Sequence, residues 1–113
     1  MEHPDGHGVV EGACGDTVEI FIRVSAGRVE RASFVCDGCA YTAACASTAA
    51  SLLEGKGLAE ARRAVSPRAI ATIIGELPRK HEHCAALATY SAHEAVDDAA
   101  SMDREPWRKL YRR

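Results

Sequence analysis

No stretch of the 113 residues approaches the roughly 18 consecutive apolar side chains that a membrane-spanning helix requires. The opening segment, Met1 to Gly8, has no apolar run either, so neither an anchor nor an export signal is expected and the chain is read as soluble and cytoplasmic. Internal repeats and low-complexity tracts are absent, which excludes solenoid and array architectures. A basic face is missing from the body of the chain. The net charge is −2, yet Arg104 to Arg113 carries five basic side chains and one Glu, a net of +4, which leaves −6 for residues 1 to 103. Nucleic acid is therefore not an expected partner, because phosphate binding needs Lys and Arg clustered on the folded surface. An even set of cysteines is also lacking: there are five, at 14, 36, 39, 45 and 84. That count argues against a closed disulfide framework and, in a reducing compartment, for free thiols.

The length suits one domain, whose core needs neither disulfides nor a structural metal. Val18, Ile20, Ile22 and Val24 alternate with Thr17, Glu19, Phe21 and Arg23, the period of a strand with one buried face. Ser25-Ala26-Gly27-Arg28 reads as a turn into a second strand from Val29 to Cys36, with Ala32 and Phe34 inward. Gly8 to Glu11 offers a short third strand. Beyond Asp37-Gly38-Cys39 the pattern becomes helical. An Ala-rich helix is predicted from Thr42 to Glu54, a short one from Leu58 to Val65, and another from Arg68 to Ile74 with Ser66-Pro67 at its start and Gly75 at its end. The longest is predicted from Lys80 to Ala100, with Cys84, Leu87, Ala88, Ser91, Ala92, Ala95, Val96 and Ala99 on one face. Strands first and helices afterwards indicate an α+β fold, a small antiparallel sheet of two or three strands with four to five helices on one face. Residues 1–100 form the domain and 101–113 a basic tail, where Trp107, Leu110 and Tyr111 would make one apolar stripe if helical.

Three cysteines fall at junctions, where site residues collect: Cys14 before the first long strand, Cys39 between strand and helix, and Cys84 at the start of the last helix. Cys14-Gly15-Asp16 puts a thiol and a carboxylate two residues apart on glycine-flanked backbone, so both can approach one metal. Cys36 and Cys39 form a C-x2-C pair, a spacing used for zinc or redox dithiols. Cys36, however, shares the face of Phe34 and Cys45 lies in the Ala-rich helix, positions that favour core packing. His81, Glu82 and His83 share a first helical turn whose ordinary state is solvated, and nothing is assigned to His3 or His7.

The chain resembles the IscU/NifU family of iron-sulfur scaffolds in three blocks that keep the same order. The first is Ala13-Cys14-Gly15-Asp16-Thr17-Val18-Glu19-Ile20. The second begins at Ala32-Ser33-Phe34, passes through Asp37-Gly38-Cys39-Ala40 and Ala46-Ser47, and ends at Gly55-Lys56-Gly57-Leu58-Ala59-Glu60-Ala61; the third is Leu77-Pro78 followed by His83-Cys84-Ala85-Ala86-Leu87-Ala88. The resemblance implies metal ligands at Cys14, Asp16, Cys39 and Cys84, with His83 as a further candidate, and sulfur acceptors at Cys84 and Cys39. It also implies a scaffold and not an enzyme: a cysteine desulfurase supplies sulfur, a transient [2Fe-2S] cluster forms, and apo iron-sulfur proteins receive it. Zinc in the protein as isolated suits the same donors. The family's chaperone-docking stretch, Leu-Pro-Pro-Val-Lys, is present only as Leu77-Pro78-Arg79-Lys80, so an Hsp70-class partner is implied in part. The longer N-terminal segment usual in the family is largely missing. Cys84 is favoured as acceptor over Cys39 because a helix N-terminus stabilises a thiolate. Two other functions are open: a SufU-like zinc-dependent sulfur acceptor that uses the same cysteines and aspartate, and a structural zinc module built on Cys36, Cys39, Cys45 and Cys84.

Overall fold

The computed structural model describes residues 3–13, 15–75 and 77–104, the last three as backbone alone. Three strands, β1 (Gly6–Glu11), β2 (Thr17–Ser25) and β3 (Arg28–Asp37), precede four helices, α1 (Ala40–Leu53), α2 (Leu58–Ala64), α3 (Pro67–Ile74) and α4 (Glu82–Arg104), with a 3-10 turn at Arg79–His81. The sheet is antiparallel in the order β1-β2-β3. This is the α+β architecture that the alternation of β2 and the Ala-rich helices predict. The β1 strand is longer than the Gly8 to Glu11 segment and pairs along its whole length, from Gly6 opposite Ile22 to Glu11 opposite Thr17. Between β2 and β3, Ala26 and Gly27 both have positive φ, of 52° and 76°, the geometry of a tight hairpin turn that follows the strands' twist.

One face of the sheet carries Val18, Ile20, Ile22 and Val29, all fully buried. The helices α1 and α4 cover that face, and α2 and α3 pack on those two. The eight residues assigned to the buried stripe of the last helix, Cys84 to Ala99, are all buried. The Ser66 hydroxyl accepts a hydrogen bond from the Ala69 N–H at 3.0 Å, so the cap and first-turn proline start α3 as the sequence predicts. Two boundaries of the last helix differ, and α1 starts two residues before the predicted Thr42. The Lys80 end is a 3-10 turn, closed by the His81 N–H on the Pro78 carbonyl at 2.8 Å, and α4 proper starts at Glu82. The other end continues to Arg104, because no helix breaker occurs before Pro106. The rest of the basic tail, with Trp107, Leu110 and Tyr111, lies outside the described residues.

The β1 strand and α4 approach more closely than ordinary side chains permit. A Cβ at Gly8 would stand 2.2 Å from the Ser91 carbonyl oxygen and 2.7 Å from the Ala95 nitrogen, and one at Gly6 would stand 2.2 Å from the Ala95 carbonyl oxygen. The Ser91 hydroxyl donates into the same gap, to the Gly8 carbonyl at 2.9 Å and the Val18 carbonyl at 3.1 Å. On the open edge of β1, the His7 and Val9 N–H groups donate to the Asp98 and Glu94 carboxylates of α4. An edge strand that would otherwise present unpaired donors is thereby tied to the helix. Gly8→Ala places a methyl against two backbone atoms that cannot rotate away, and is expected to cost about 1–3 kcal/mol, the range for overpacking. Thermal denaturation should show a midpoint lowered by several degrees; an unchanged midpoint would mean that the contact is slack.

Candidate metal centre

Three chain junctions meet where the β1–β2 turn, the start of α1 and the start of α4 come together. In the first, the Gly12 N–H donates to the Asp16 carbonyl at 2.7 Å and the Gly15 N–H to the Gly12 carbonyl at 3.0 Å. Gly15 sits at φ 86°, in the left-handed region that glycine enters without strain. The turn delivers the Asp16 carboxylate, only 10% exposed, toward α4. Cys14 lies outside the described residues. At the second junction Cys39 is the N-cap of α1 and is exposed, while Thr42, three residues on, is fully buried. The third supplies His81 from the 3-10 turn and His83 and Cys84 from the first turn of α4, with Cys84 fully buried.

The donor atoms converge. His83 Nε2 lies 3.3 Å from Asp16 Oδ2 and 3.7 Å from Cys84 Sγ, and His81 Nδ1 lies 3.8 Å from Cys39 Sγ. Two groups result, Cys39–His81–Cys84 and Asp16–His83–Cys84, and the ligand atoms of each lie within 4.8 Å of one another. Tetrahedral metal bonds of about 2.0–2.3 Å place neighbouring ligand atoms about 3.3–3.8 Å apart. The three contacts fall in that interval and the remaining pairs of each group lie within 4.8 Å, so each group offers three donors to one metal ion, with Cys84 common to both. Thiolate, imidazole and carboxylate together suit iron or zinc. Cys36 and Cys45 join neither group among the described residues. The four thiols of the structural zinc module, Cys36, Cys39, Cys45 and Cys84, form no such group among the described residues. Cys45 is buried in the core as its place in an Ala-rich helix predicts, and Cys36 is half-buried against that core.

Thr42 lies at the centre of the cluster. Its Oγ1 is 3.5 Å from each of Cys39 Sγ, Cys84 Sγ and Asp16 Oδ2. Sequence reasoning passed over it, although a residue three positions after an N-cap characteristically faces back to the cap. It also passed over His81 as a ligand. His81 precedes Cys84 by one helical turn's spacing, a signal masked by the polar character of the segment.

The two thiols in these groups, Cys39 and Cys84, have opposite environments. The Cys39 thiol is lowered to about 7, chiefly by the Thr42 hydroxyl and then by the N–H groups of Thr42 and Tyr41 at the open end of α1, although neither N–H closes a cap bond to Sγ. Cys84 is raised, because burial outweighs the hydrogen bond from Thr42 and the charges of Cys39 and Asp16 disfavour a further anion. The helix-terminus argument that favoured Cys84 as the reactive thiol thus fails for it, since desolvation wins, and applies instead to Cys39 at the start of α1. Burial also pushes Cys45 up to about 11.

Thiol, imidazole and carboxylate donors that could hold a metal thus converge at the chain junctions of a small α+β domain. The chain matches the family model described as NifU-like N terminal domain over residues 2–104, and it belongs to that family. It is similar to the iron-sulfur cluster assembly scaffold proteins IscU 1 and IscU 2 of Archaeoglobus fulgidus, each 35% identical over 99 residues, 87% of this chain and 64% of the relative. It is also similar to the nitrogen fixation protein NifU of Cereibacter sphaeroides, 40% identical over 74 residues, 66% of this chain and 30% of that protein. The chain thus spans less than two thirds of these curated relatives. Among solved structures, the N-terminal part of a nitrogen-fixing NifU-like protein from Brucella abortus superposes with a TM-score of 0.68 at 18% identity, covering 89% of this chain and 83% of that one, a likeness of fold.

Alkylation of the metal-free protein tests the electrostatics. Because the thiolate is the reactive form, modification of Cys39 by iodoacetamide should rise with pH and reach half its maximal rate near pH 7, while Cys45 stays unmodified until the protein unfolds. Peptide mapping by mass spectrometry follows both. A Cys39 midpoint at the ordinary thiol value of about 8.5 would contradict the assigned environment.

Proposed function

We propose that this chain is a scaffold on which an iron-sulfur cluster is assembled from iron and desulfurase-derived sulfur and from which it is passed to apo iron-sulfur proteins. The single observation that carries the reading is that Asp16, Cys39, His83 and Cys84, from three separate junctions, fall into two donor groups that share Cys84, Asp16–His83–Cys84 and Cys39–His81–Cys84. Cys14, two residues before Asp16 in sequence, completes the proposed ligand set. A hard carboxylate and an imidazole beside soft thiolates make a site that binds iron and also releases it, which suits a transient [2Fe-2S] cargo better than a permanent one.

Cys39 is the sulfur acceptor in this reading, supported by its exposure at the mouth of the site and by its lowered thiol. Its thiolate attacks the outer sulfur of the donor's persulfide. A bond forms between Cys39 Sγ and that sulfur, the donor's S–S bond breaks, and the donor cysteine leaves as thiolate, with no net oxidation. Conversion of the transferred sulfur to sulfide then takes two electrons from a reductant. Buried Cys84 serves as an inner ligand, and takes up sulfur only from within the site. The chain itself turns over no substrate. An Hsp70-class chaperone would meet the chain at Leu77 to Lys80, whose last two residues are exposed, and a reducing compartment such as the cytoplasm suits the free thiols.

A second reading, a SufU-like zinc-dependent sulfur acceptor, is favoured by one observation: the same mixed donor set satisfies tetrahedral zinc. Anaerobic reconstitution with ferrous iron, cysteine and a cysteine desulfurase separates the two. The scaffold reading predicts visible charge-transfer absorption with iron and sulfide bound in wild type and in Cys36→Ser, and its loss in Cys39→Ser. Stoichiometric zinc that iron and sulfur cannot displace would reverse the choice.

A further inference from the structure

Once Cys39 carries transferred sulfur, its Sγ is one half of an S–S bond and no longer a thiolate, so a metal held through it loses a ligand. A second donor stands beside it. His81 Nδ1 is 3.8 Å from Cys39 Sγ, and these atoms with Cys84 Sγ lie within 4.8 Å of one another. The imidazole is half-buried and stacked on Tyr41, with ring centroids 4.2 Å apart and planes 20° from parallel. Its backbone is fixed by the 3-10 turn through the hydrogen bond to Pro78. The ring is therefore held beside the thiols at little further cost in side-chain entropy. His81 and His83 stand with ring centroids 6.4 Å apart, the first within reach of Cys39 and the second within reach of Asp16.

We propose that His81 is a metal ligand that replaces Cys39 on the metal while Cys39 is bonded to sulfur, with Cys84 as the donor common to both states. Imidazole suits ferrous iron, zinc and cobalt alike, and exchanging it for a thiolate preserves a tetrahedral shell. The exchange removes one negative charge from the shell. The terminal sulfur on Cys39, anionic when deprotonated, restores that charge as it enters. The timing of the exchange rests on the scaffold reading; the ligand assignment does not.

Cobalt(II) titration of the metal-free full chain tests the assignment without desulfurase or sulfide, so that a failed cluster reconstitution and a failed ligand assignment are separate results. Cys39→Ala mimics the state in which that thiolate is withdrawn, and His81→Phe keeps a ring on Tyr41 while removing the donor nitrogen. The expected result is that Cys39→Ala still gives the intense visible bands of tetrahedral cobalt. Adding His81→Phe should then raise the Kd by about tenfold or more, at least the loss known for a second-shell partner. His81→Phe alone should have a much smaller effect, because Cys39 fills the position. Circular dichroism checks the fold of each variant, and Cys39→Ser with His81→Asn repeats the comparison if either first choice unfolds. Equal cobalt affinity with and without His81 in the Cys39-deficient background, or no tetrahedral cobalt in that background, would overturn the proposal.

Discussion

The buried hydroxyl of Thr42 holds the site together. It donates to Asp16 Oδ2 and stands within hydrogen-bond distance of Cys39 Sγ and Cys84 Sγ, each at 3.5 Å. One hydroxyl cannot serve the carboxylate and both sulfurs at once, so deprotonating the thiols beside Asp16 leaves negative charge under-compensated unless a cation is bound. The hydroxyl acts on both thiols, and their difference comes from burial. At the exposed Cys39 it dominates and lowers the thiol, whereas at Cys84 desolvation overrides it. The result is one reactive thiol facing solvent and one sheltered donor behind it, a division that suits taking sulfur from outside and retaining metal inside.

The fold meets the geometric demand this makes. Asp16, Thr42 and Cys84 come from parts of the chain far apart in sequence, and their positions are fixed only if α4 is seated accurately on the sheet. The glycines of β1 permit close approach, Ser91 bonds the carbonyls of β1 and β2 from within, and Asp98 and Glu94 bond the strand's open edge. Because Ser91 lies two helical turns from Cys84 on the same stripe, whatever seats the middle of α4 also sets the height of its first turn. On the opposite face of the sheet Val35 is 59% exposed among the described residues.

Most of the fold was legible in the sequence, because its periodicities are not in conflict. The alternation from Val18 to Val24, the Ser66-Pro67 start and the stripe from Cys84 to Ala99 each match the structure. Strand β1 was the hardest to read, since Gly6 and Gly8 face the helix with no apolar side chain to mark a buried face. In the site, the family blocks pointed to Cys14, Asp16, Cys39, Cys84 and His83; the last four fall in the two donor groups that share Cys84, and Cys14 lies outside the described residues. What escaped was tertiary. Whether Cys84 is stabilised by a helix terminus or penalised by burial depends on what packs over it, and His81 becomes a candidate ligand only because a 3-10 turn and the Tyr41 ring direct it toward Cys39.

X-ray absorption at the zinc edge of the zinc-loaded chain most directly tests the claim that metal binds where these three junctions meet. The structure predicts a four-coordinate first shell of mixed donors, with sulfur at about 2.3 Å and at least one nitrogen or oxygen at about 2.0–2.1 Å. A shell of four sulfurs alone would contradict it, because that composition demands Cys36 or Cys45 as ligands and leaves Asp16, His81 and His83 without a role.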